Sequence, residues 1–167
     1  MYKNKPALED VKLKRPSLLP PQTRSSKKIT LLVDLDETLV HCSIEDMPNA
    51  EFVKEVLCFG EKYLVRGKKR PHCMEFLQKA AQKFEVVVYT ASRREYADQI
   101  INLIDPKRQY IKYRLFREAC LPVMETYVKE MSGMGRDLSK TILIDNSPQV
   151  FAYQVGFCRF LSSRLIS

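Results

Sequence analysis

The residues best suited to chemistry lie directly after three short apolar runs, residues 29–33, 86–89 and 141–144. The polar residues at the ends of these runs are Asp34, Asp36, Thr90, Asp145 and Asn146. A carboxylate is a weak nucleophile, but it attacks phosphorus when a metal ion neutralises the repulsion between the two anions. The combination of carboxylates with a hydroxyl and an amide therefore indicates phosphoryl transfer through an aspartyl phosphate.

Each of these polar residues has a candidate role in that reaction. Asp34 is the candidate nucleophile, and Asp36, which projects to the same side of an extended backbone, can protonate the leaving oxygen and then activate water. Thr90 supplies a hydroxyl donor for the transferring oxygens. Mg²⁺ binds the hard oxygens of one or two carboxylates together with waters and phosphate. We therefore expect the Mg²⁺ ligands to come from Asp34, Asp36, Asp145 and Asn146.

The elements that must position these residues can be predicted from hydrophobic periodicity. The three apolar runs are nearly continuous, which is typical of strands buried on both faces, and residues 111–116 predict a further strand. Apolar residues at helical spacing predict helices over 74–84 and 96–104, and residues 51–66 predict a β-hairpin. The predicted fold is α/β, a Rossmann-like parallel sheet flanked by helices, with a small β-hairpin insertion after the first strand. Ligands of such sheets bind beyond the carboxyl ends of the strands.

Length and composition narrow the class of protein. The chain has 167 residues, of which 45% are hydrophobic and 29% charged, and this predicts one globular domain, expected to be a monomer. No apolar run approaches the roughly 18 residues of a membrane helix, so we expect a soluble, intracellular protein, nuclear or cytoplasmic, with no membrane partner. The five cysteines contain no C-x-x-C pair, which argues against a disulfide framework and a zinc ribbon.

The net charge of +8 is concentrated near the N-terminus. Residues 1–28 contain eight lysines or arginines, two acidic residues and four of the nine prolines, which predicts a basic, poorly ordered arm. Aromatic residues interleaved with basic ones, which are typical of single-stranded nucleic-acid binding, are missing apart from Tyr2. A solvated linker is therefore favoured, and no direct nucleic-acid binding is expected.

Four short motifs occur in the order of the signatures of one enzyme superfamily. Residues 34–41, DLDETLVH, resemble the first signature of the haloacid dehalogenase superfamily, in the form used by the protein-serine phosphatases that act on the carboxy-terminal domain of RNA polymerase II. The second, third and fourth signatures are similar to residues 89–92 (YTAS), 127–129 (YVK) and 145–148 (DNSP).

The resemblance covers residues 19–154 and comes closest to the small phosphatase-like 2 subgroup, through residues 19–23 and 135–140. It implies an FCP1-homology phosphatase domain over residues 29–154, followed by an atypical tail over 155–167. The implied activity is Mg²⁺-dependent hydrolysis of phosphoserine or phosphothreonine in a phosphorylated protein or peptide. The carboxy-terminal domain of RNA polymerase II is one candidate substrate.

The resemblance also implies roles for individual residues. Lys129, which by itself looks like an ordinary surface lysine, becomes the cation that binds the phosphate. The implied catalytic residues are Asp34, Asp36, Thr90 and Lys129. The implied substrate-binding residues are Thr90, Ser92, Tyr96, Arg117 and Lys129. Two simpler interpretations stay open, because Arg117 can instead pair with Glu118, and Ser92 and Asn146 can act only as caps.

Two features depart from the family pattern. The family continues after residues 145–148 with a strand, a Trp-Phe segment and a helix, whereas this chain has no tryptophan. Either residues 157–161 fold back over the sheet edge beside 141–145, which their apolar residues favour, or that edge stays exposed. Arg93 and Arg94 stand where relatives that prefer proline-containing phosphopeptides have an apolar residue. Such a basic rim favours acidic or multiply phosphorylated targets.

Two other functions remain open from the sequence. A phosphotransferase or a small-molecule phosphatase would share the aspartyl-phosphate step, although a short hairpin insertion leaves the cleft open to a peptide. The second alternative is a catalytically impaired phosphoprotein-binding module. The presence of both Asp34 and Asp36 disfavours this module, because binding of phosphate alone needs no paired acids.

Overall fold

The computed structural model describes residues 17–147 and 158–160, and its centre is a five-stranded parallel sheet. The strands are β1 (Thr30–Val33), β5 (Glu85–Tyr89), β6 (Tyr113–Leu115), β9 (Thr141–Asp145) and β10 (Cys158–Phe160). They lie in the order β10-β9-β1-β5-β6. The predicted parallel α/β sheet is confirmed, and each of the three apolar runs forms one of its strands.

The three central strands end at the same level. Val33 of β1 pairs with Val88 of β5 on one side and with Ile144 of β9 on the other. The backbone N–H of Asp34 continues the ladder by donating to the Ile144 carbonyl at 2.9 Å. Because parallel strands bring their carboxyl ends to one edge, the polar residues that follow these strands share that edge.

Two helices cover one face of the sheet. The helices α1 (Cys73–Lys83) and α2 (Arg94–Ile104) each place an apolar stripe against the strands, with the spacing of an amphipathic helix. The largest fully buried members of these stripes are Leu77, Ile100, Ile101 and Ile104. Burial of each such side chain stabilises the fold by about 1.5–3 kcal/mol, so this packing holds the helices on the sheet.

The opposite face of the sheet is covered by irregular segments of the chain. Leu32 of β1 and Leu143 of β9 pack there in a cluster with Met131 and Met134. Three short 3₁₀ turns lie in the same part of the chain, at Arg117–Ala119, Ser132–Met134 and Leu138–Lys140. The core is therefore continuous on both faces of the sheet, which leaves its carboxyl edge for the polar residues.

The segment before β1 also packs against this second face. Leu19 is 3% exposed within the cluster. Arg136 donates to a backbone carbonyl of this segment and to both carboxylate oxygens of the buried Glu85. The packed unit thus begins before residue 29, because a buried leucine and specific hydrogen bonds outweigh the basic composition of the segment. Of the predicted arm over residues 1–28, residues 1–16 lie outside the described residues.

The predicted hairpin belongs to a separate antiparallel sheet with the strands β2 (Val40–Ser43), β3 (Phe52–Cys58) and β4 (Glu61–Lys69). Their order is β2-β4-β3. Phe59 and Gly60 join β3 to β4 with φ values of 56° and 81°, as a tight two-residue hairpin turn requires. The hairpin insertion is confirmed, whereas β2 is too short for its periodicity to predict it.

A second hairpin delivers Lys129 to the edge of the central sheet. Its strands are β7 (Leu121–Val123) and β8 (Thr126–Val128), and Lys129 follows β8 directly. Two strands of three residues leave no periodic signal, so the sequence does not predict this hairpin. In the described residues no helix is both long and apolar enough to cross a membrane.

The tail covers one side of β9. Cys158 of β10 lies opposite Leu143, and Phe160 lies opposite Asp145, in a parallel pairing. The expectation that the tail folds back over this edge is confirmed for residues 158–160, and its other residues lie outside the described part of the chain. The pairing matters because an unpaired apolar strand offers N–H and C=O groups to other chains.

Candidate active site

A buried ammonium group joins two carboxylates at the carboxyl edge of the sheet. Lys129 Nζ donates hydrogen bonds of 2.5 Å to Asp34 Oδ1 and of 2.5 Å to Asp145 Oδ2. Lys129 and Asp145 are each 1% exposed, and Asp34 is 6% exposed. The adjacent strands β1 and β9 lead into the two carboxylates, and the hairpin β7–β8 leads into the lysine. Lys129 is therefore far more buried than a solvated lysine.

Burial and charge set the protonation states of this group. Burial raises the pKa of Asp34 from its ordinary value to about 6, although Lys129 lowers it, and the neighbouring Asp145 raises it further. Burial by itself would lower the pKa of Lys129, but the two carboxylates raise it above its ordinary value. At neutral pH the site therefore holds an ionised Asp34 beside a permanently positive lysine.

Two hydroxyl groups hold the carboxylate of Asp36. Tyr96 donates from its hydroxyl to Asp36 Oδ1 at 2.6 Å, and Ser92 donates to Asp36 Oδ2 at 2.6 Å. Burial and the negative charge of Asp36 raise the pKa of Tyr96, which keeps the phenol protonated as a donor. In the structure both hydroxyls contact Asp36, and the predicted role of Ser92 and Tyr96 as substrate ligands stays a prediction.

The loop between β1 and β2 is held by a distant arginine. Glu37 has a left-handed backbone with φ 60°, which is uncommon for a residue other than glycine. Arg70 donates through Nη2 to the Glu37 carbonyl at 2.8 Å and through Nε to the Thr38 carbonyl at 2.6 Å. Arg70 is thus a positioning residue for the loop that carries Asp36. Sequence reasoning misses it, because nothing near Arg70 in the sequence indicates this contact.

Thr90 and Asn146 lie on the same edge of the sheet. Thr90 is 1% exposed, and its hydroxyl oxygen accepts a hydrogen bond from the Ser92 backbone N–H at 3.0 Å. Asn146 Oδ1 accepts from the Thr38 hydroxyl at 3.4 Å. Thr38 is a second positioning residue that sequence reasoning misses, although it stands inside the DLDET run.

Arg117 lies at the rim of the site. Its Nε donates to the Ala91 carbonyl at 2.7 Å, and its backbone N–H donates to the Ser92 carbonyl at 3.0 Å. Its neighbour Glu118 accepts instead from Arg94 at 2.7 Å. Among the described residues Glu118 therefore pairs with Arg94 and not with Arg117, and a role of Arg117 in substrate binding stays a prediction.

The predicted Mg²⁺ ligands share this edge without forming a ready-made cage. Within the described residues, no three histidine, cysteine, aspartate or glutamate side chains converge on one point. The reason is that Lys129 lies between Asp34 and Asp145, and that two hydroxyls hold Asp36. Three carboxylates and one ammonium leave an excess of negative charge. This donor set suits Mg²⁺, which needs only one or two protein carboxylates besides waters and phosphate.

Comparison with known protein families identifies the domain. The family model described as NLI interacting factor-like phosphatase matches residues 29–156. The chain belongs to the NLI interacting factor-like phosphatase family. Phosphatases of this fold generally use a divalent metal ion.

Relatives of this NLI interacting factor-like domain carry phosphatase names. The chain is 43% identical over 155 residues to CTD small phosphatase-like protein 3 of Caenorhabditis elegans, covering 93% of this chain and 54% of the relative. It is 48% identical over 140 residues to CTD small phosphatase-like protein 2 of Dictyostelium discoideum, covering 84% of this chain and 24% of the relative. The chain thus spans about half of the first relative and a quarter of the second. The predicted family is confirmed, and the second relative fits the predicted subgroup.

A solved structure has the same fold. The structure of the fission yeast RNA polymerase II CTD phosphatase Fcp1 bound to beryllium fluoride superposes with a TM-score of 0.65 at 23% identity, covering 76% of this chain and 39% of that one. At this identity the likeness shows the fold of the NLI interacting factor-like domain and nothing finer. It agrees with the predicted α/β fold, a parallel sheet flanked by helices.

Proposed function

We propose that this chain is a Mg²⁺-dependent phosphatase that hydrolyses phosphoserine and phosphothreonine in proteins through an aspartyl phosphate on Asp34. The observation that carries the proposal is the buried contact of Lys129 with Asp34 and Asp145, beside an Asp36 held by two hydroxyls. A nucleophilic carboxylate, a cation for the phosphate and an oriented second carboxyl group are the parts that this chemistry needs. The phosphatase names of the family and its relatives support the same activity.

In the first step Asp34 attacks phosphorus and the serine or threonine oxygen of the substrate leaves. A bond forms between a carboxylate oxygen of Asp34 and phosphorus, and the ester P–O bond breaks with its electron pair going to the leaving oxygen. Asp36 in its acid form gives that oxygen a proton. Lys129 and the Thr90 hydroxyl donate to the transferring phosphoryl oxygens, whose charge would otherwise repel Asp34.

In the second step Asp36 acts as a base. Its carboxylate accepts a proton from a water molecule, the water oxygen bonds to phosphorus, and the bond between phosphorus and Asp34 breaks. A group that serves first as acid and then as base must stay within reach of the leaving oxygen in the first step and of the water oxygen in the second. The hydroxyls of Ser92 and Tyr96 supply that constraint, because each holds one oxygen of Asp36 at 2.6 Å.

Mg²⁺ would be held by oxygens drawn from Asp34, Asp36, Asp145 and Asn146. When bound, it supplies the positive charge that lets a carboxylate approach a phosphate dianion. The excess of carboxylate over ammonium charge at this edge supports a divalent cation, and the hard oxygen donors support Mg²⁺.

A phosphorylated segment of a protein is the proposed substrate, with the carboxy-terminal domain of RNA polymerase II as one candidate. The names of the relatives and of the solved Fcp1 structure refer to that domain and support this class. The insertion sheet β2–β4 is small, which favours an open cleft and a peptide over an enclosed metabolite.

The Asp34→Asn variant tests the proposal. It should bind a phosphoserine peptide without turnover, because an amide cannot form an acyl phosphate. Beryllium fluoride with Mg²⁺ should give an adduct with the wild type and not with the variant, as read by fluorine NMR. Asp46→Asn removes an exposed carboxylate elsewhere and should retain both turnover and adduct. Unchanged turnover in Asp34→Asn would exclude Asp34 as the nucleophile, and equal turnover in EDTA would exclude the metal.

A further inference from the structure

A charged cavity lies beside the candidate active site. It has a volume of about 520 Å³, and the charged residues that line it are Arg93, Arg94, Glu95, Arg117 and Glu118. Ser92, whose hydroxyl donates to Asp36, directly precedes Arg93, and the Ser92 carbonyl accepts from the backbone of Arg117 at 3.0 Å. The cavity and Asp36 are therefore connected through one residue, so a peptide bound at Asp36 has room to extend into the cavity.

The charges of this cavity are only partly balanced. Arg94 donates to Glu118 Oε1 at 2.7 Å and 3.1 Å, so these two charges offset each other. Across the described residues, neither Arg93 nor Arg117 forms an ion pair. Glu95 is exposed, where water and salt screen its charge. Two unpaired guanidinium groups against one screened carboxylate give the cavity a positive potential.

Arg93 also has a donor without a partner. Its Nε is buried and makes no hydrogen bond within the described part of the chain. Its guanidinium lies 4.1 Å from the centroid of the Phe59 ring, and that of Arg117 lies 4.8 Å from the centroid of the Tyr127 ring. Stacking on an aromatic ring holds a planar guanidinium while leaving N–H donors at its rim available.

The start of α2 adds to the same potential. Arg93 is the N-cap residue of this eleven-residue helix, and no side chain caps its first turn. The free N–H groups of a helix N-terminus carry partial positive charge and favour anions. The backbone therefore acts in the same direction as the two unpaired arginines.

We propose that this cavity is a second anion subsite, in which Arg93 and Arg117 bind a phosphoryl or carboxylate group close in sequence to the residue being dephosphorylated. The inference rests on the proposed phosphatase function, which places the scissile phosphate at Asp34. Guanidinium groups bind both kinds of anion through paired N–H donors, and a dianionic phosphoryl group gains more than a carboxylate. The preferred substrates are then acidic or doubly phosphorylated segments.

Binding measurements on the Asp34→Asn protein separate this inference from turnover. The probes are three fluorescein-labelled peptides of equal length: one phosphoserine among alanines, the same peptide with a second phosphoserine three residues away, and the same peptide with glutamate there. We expect the second phosphoserine to lower Kd about fivefold to tenfold and glutamate to lower it less, as for partly exposed ion pairs. Comparison of the doubly phosphorylated peptide with the glutamate peptide distinguishes a phosphoryl ligand from a carboxylate ligand.

Variants of Arg93 assign the effect to the cavity. Arg93→Gln should remove most of the difference in Kd between the peptides. Arg93→Lys, which keeps a point charge, should retain part of that difference. Lys79→Gln removes an exposed positive charge from α1 and should leave the ratio of Kd values unchanged. Thermal melts of the variants establish that each is folded.

Three results would overturn the subsite. The first is equal Kd values for the alanine-flanked and doubly phosphorylated peptides. The second is a preference for the doubly phosphorylated peptide that survives unchanged in folded Arg93→Gln. The third is a preference that falls as much in Lys79→Gln as in Arg93→Gln. The second result would exclude Arg93 as the anion ligand, and the third would assign the preference to the overall charge of the protein. Failure of the proposed function would look different, since the wild type would then turn over none of the three peptides whatever their binding order.

Discussion

Replacing Lys129 with methionine introduces an apolar side chain of similar length and removes the buried positive charge. The carboxylate oxygens of Asp34 and Asp145 each lie 2.5 Å from Nζ, so they are at most about 5 Å apart. Two unit charges at about 5 Å repel by about 3 kcal/mol when the effective dielectric constant is about 20. Since removal of one partner from a buried ion pair generally costs about 3–5 kcal/mol, we expect the free energy of unfolding at pH 8 to fall by about 3 kcal/mol.

The loss should depend on pH in a definite direction. In the wild type, burial raises the pKa of Asp34 from 3.8 to about 6, so between these values the folded state holds a proton that the unfolded state has lost. Stability from this group is therefore present at low pH and falls as the pH rises toward 6. Lys129 lowers the pKa of Asp34, so without the lysine the decline should continue above pH 6, at up to about 1.4 kcal/mol per pH unit.

Urea denaturation followed by circular dichroism, at pH 5 and pH 8 in EDTA, measures both effects. The double variant Asp34→Asn/Lys129→Met removes one of the two opposed carboxylates, so it should recover most of the stability lost at pH 8. Lys79→Met, at an exposed lysine of α1, controls for the substitution itself. The reasoning is refuted if Lys129→Met is as stable as the wild type at pH 8, or if the second substitution recovers nothing.

Other perturbations test the acid-base group, the buried thiols and the edge strand. Asp36→Asn should lower kcat on a phosphopeptide by roughly 10²–10⁴-fold, the range for a general acid-base group. Tyr96→Phe should lower kcat less, because it removes only one of the two hydroxyls that orient Asp36. Equal losses of kcat in the two variants would mean that Tyr96 does more than orient Asp36. Brief alkylation by iodoacetamide at pH 8 should leave Cys42, Cys73 and Cys120 largely unmodified in peptide maps, because burial raises the pKa of each thiol to about 11. Rapid labelling of these three residues would contradict their burial. Ending the chain after residue 157 removes β10 and should lower the melting temperature and promote association through the uncovered edge of β9, as seen by light scattering; a monodisperse protein of equal melting temperature would show that β10 is not needed there.

The parallel sheet and the position of its polar edge can be predicted from the sequence, because both depend on local patterns. A strand buried on both faces leaves a continuous apolar run, and an amphipathic helix leaves a stripe at three- and four-residue spacing. Since parallel strands end at a common edge, the polar residues after the runs, Asp34, Thr90 and Asp145, are predicted to meet there. The register confirms this, with Val33 opposite both Val88 and Ile144.

The hairpin insertion is predictable for a similar reason, whereas the smaller strands are not. The strands β3 and β4 have seven and nine residues and are joined by a Phe-Gly turn, while β2, β7, β8 and β10 have three or four residues each. Unlike the equally short β1 and β6, which lie within the predicted strand segments 29–33 and 111–116, these four segments carry almost no periodic signal. Whether each becomes a strand depends on the neighbour with which it pairs. Composition also fails to predict that Leu19 packs into the core before β1, because a single buried residue hardly changes the average composition of the segment.

The contacts that give the site its chemistry depend on the folded chain. Lys129 lies 95 positions from Asp34, and Tyr96 lies 60 positions from Asp36, yet each pair forms a hydrogen bond. Taken from the sequence alone, Lys129 is an ordinary lysine, and only the family resemblance suggests its role. A hydrophobic pattern is a property of neighbouring residues. Which charged groups meet in the interior, and with what pKa, follows instead from strand order, register and burial.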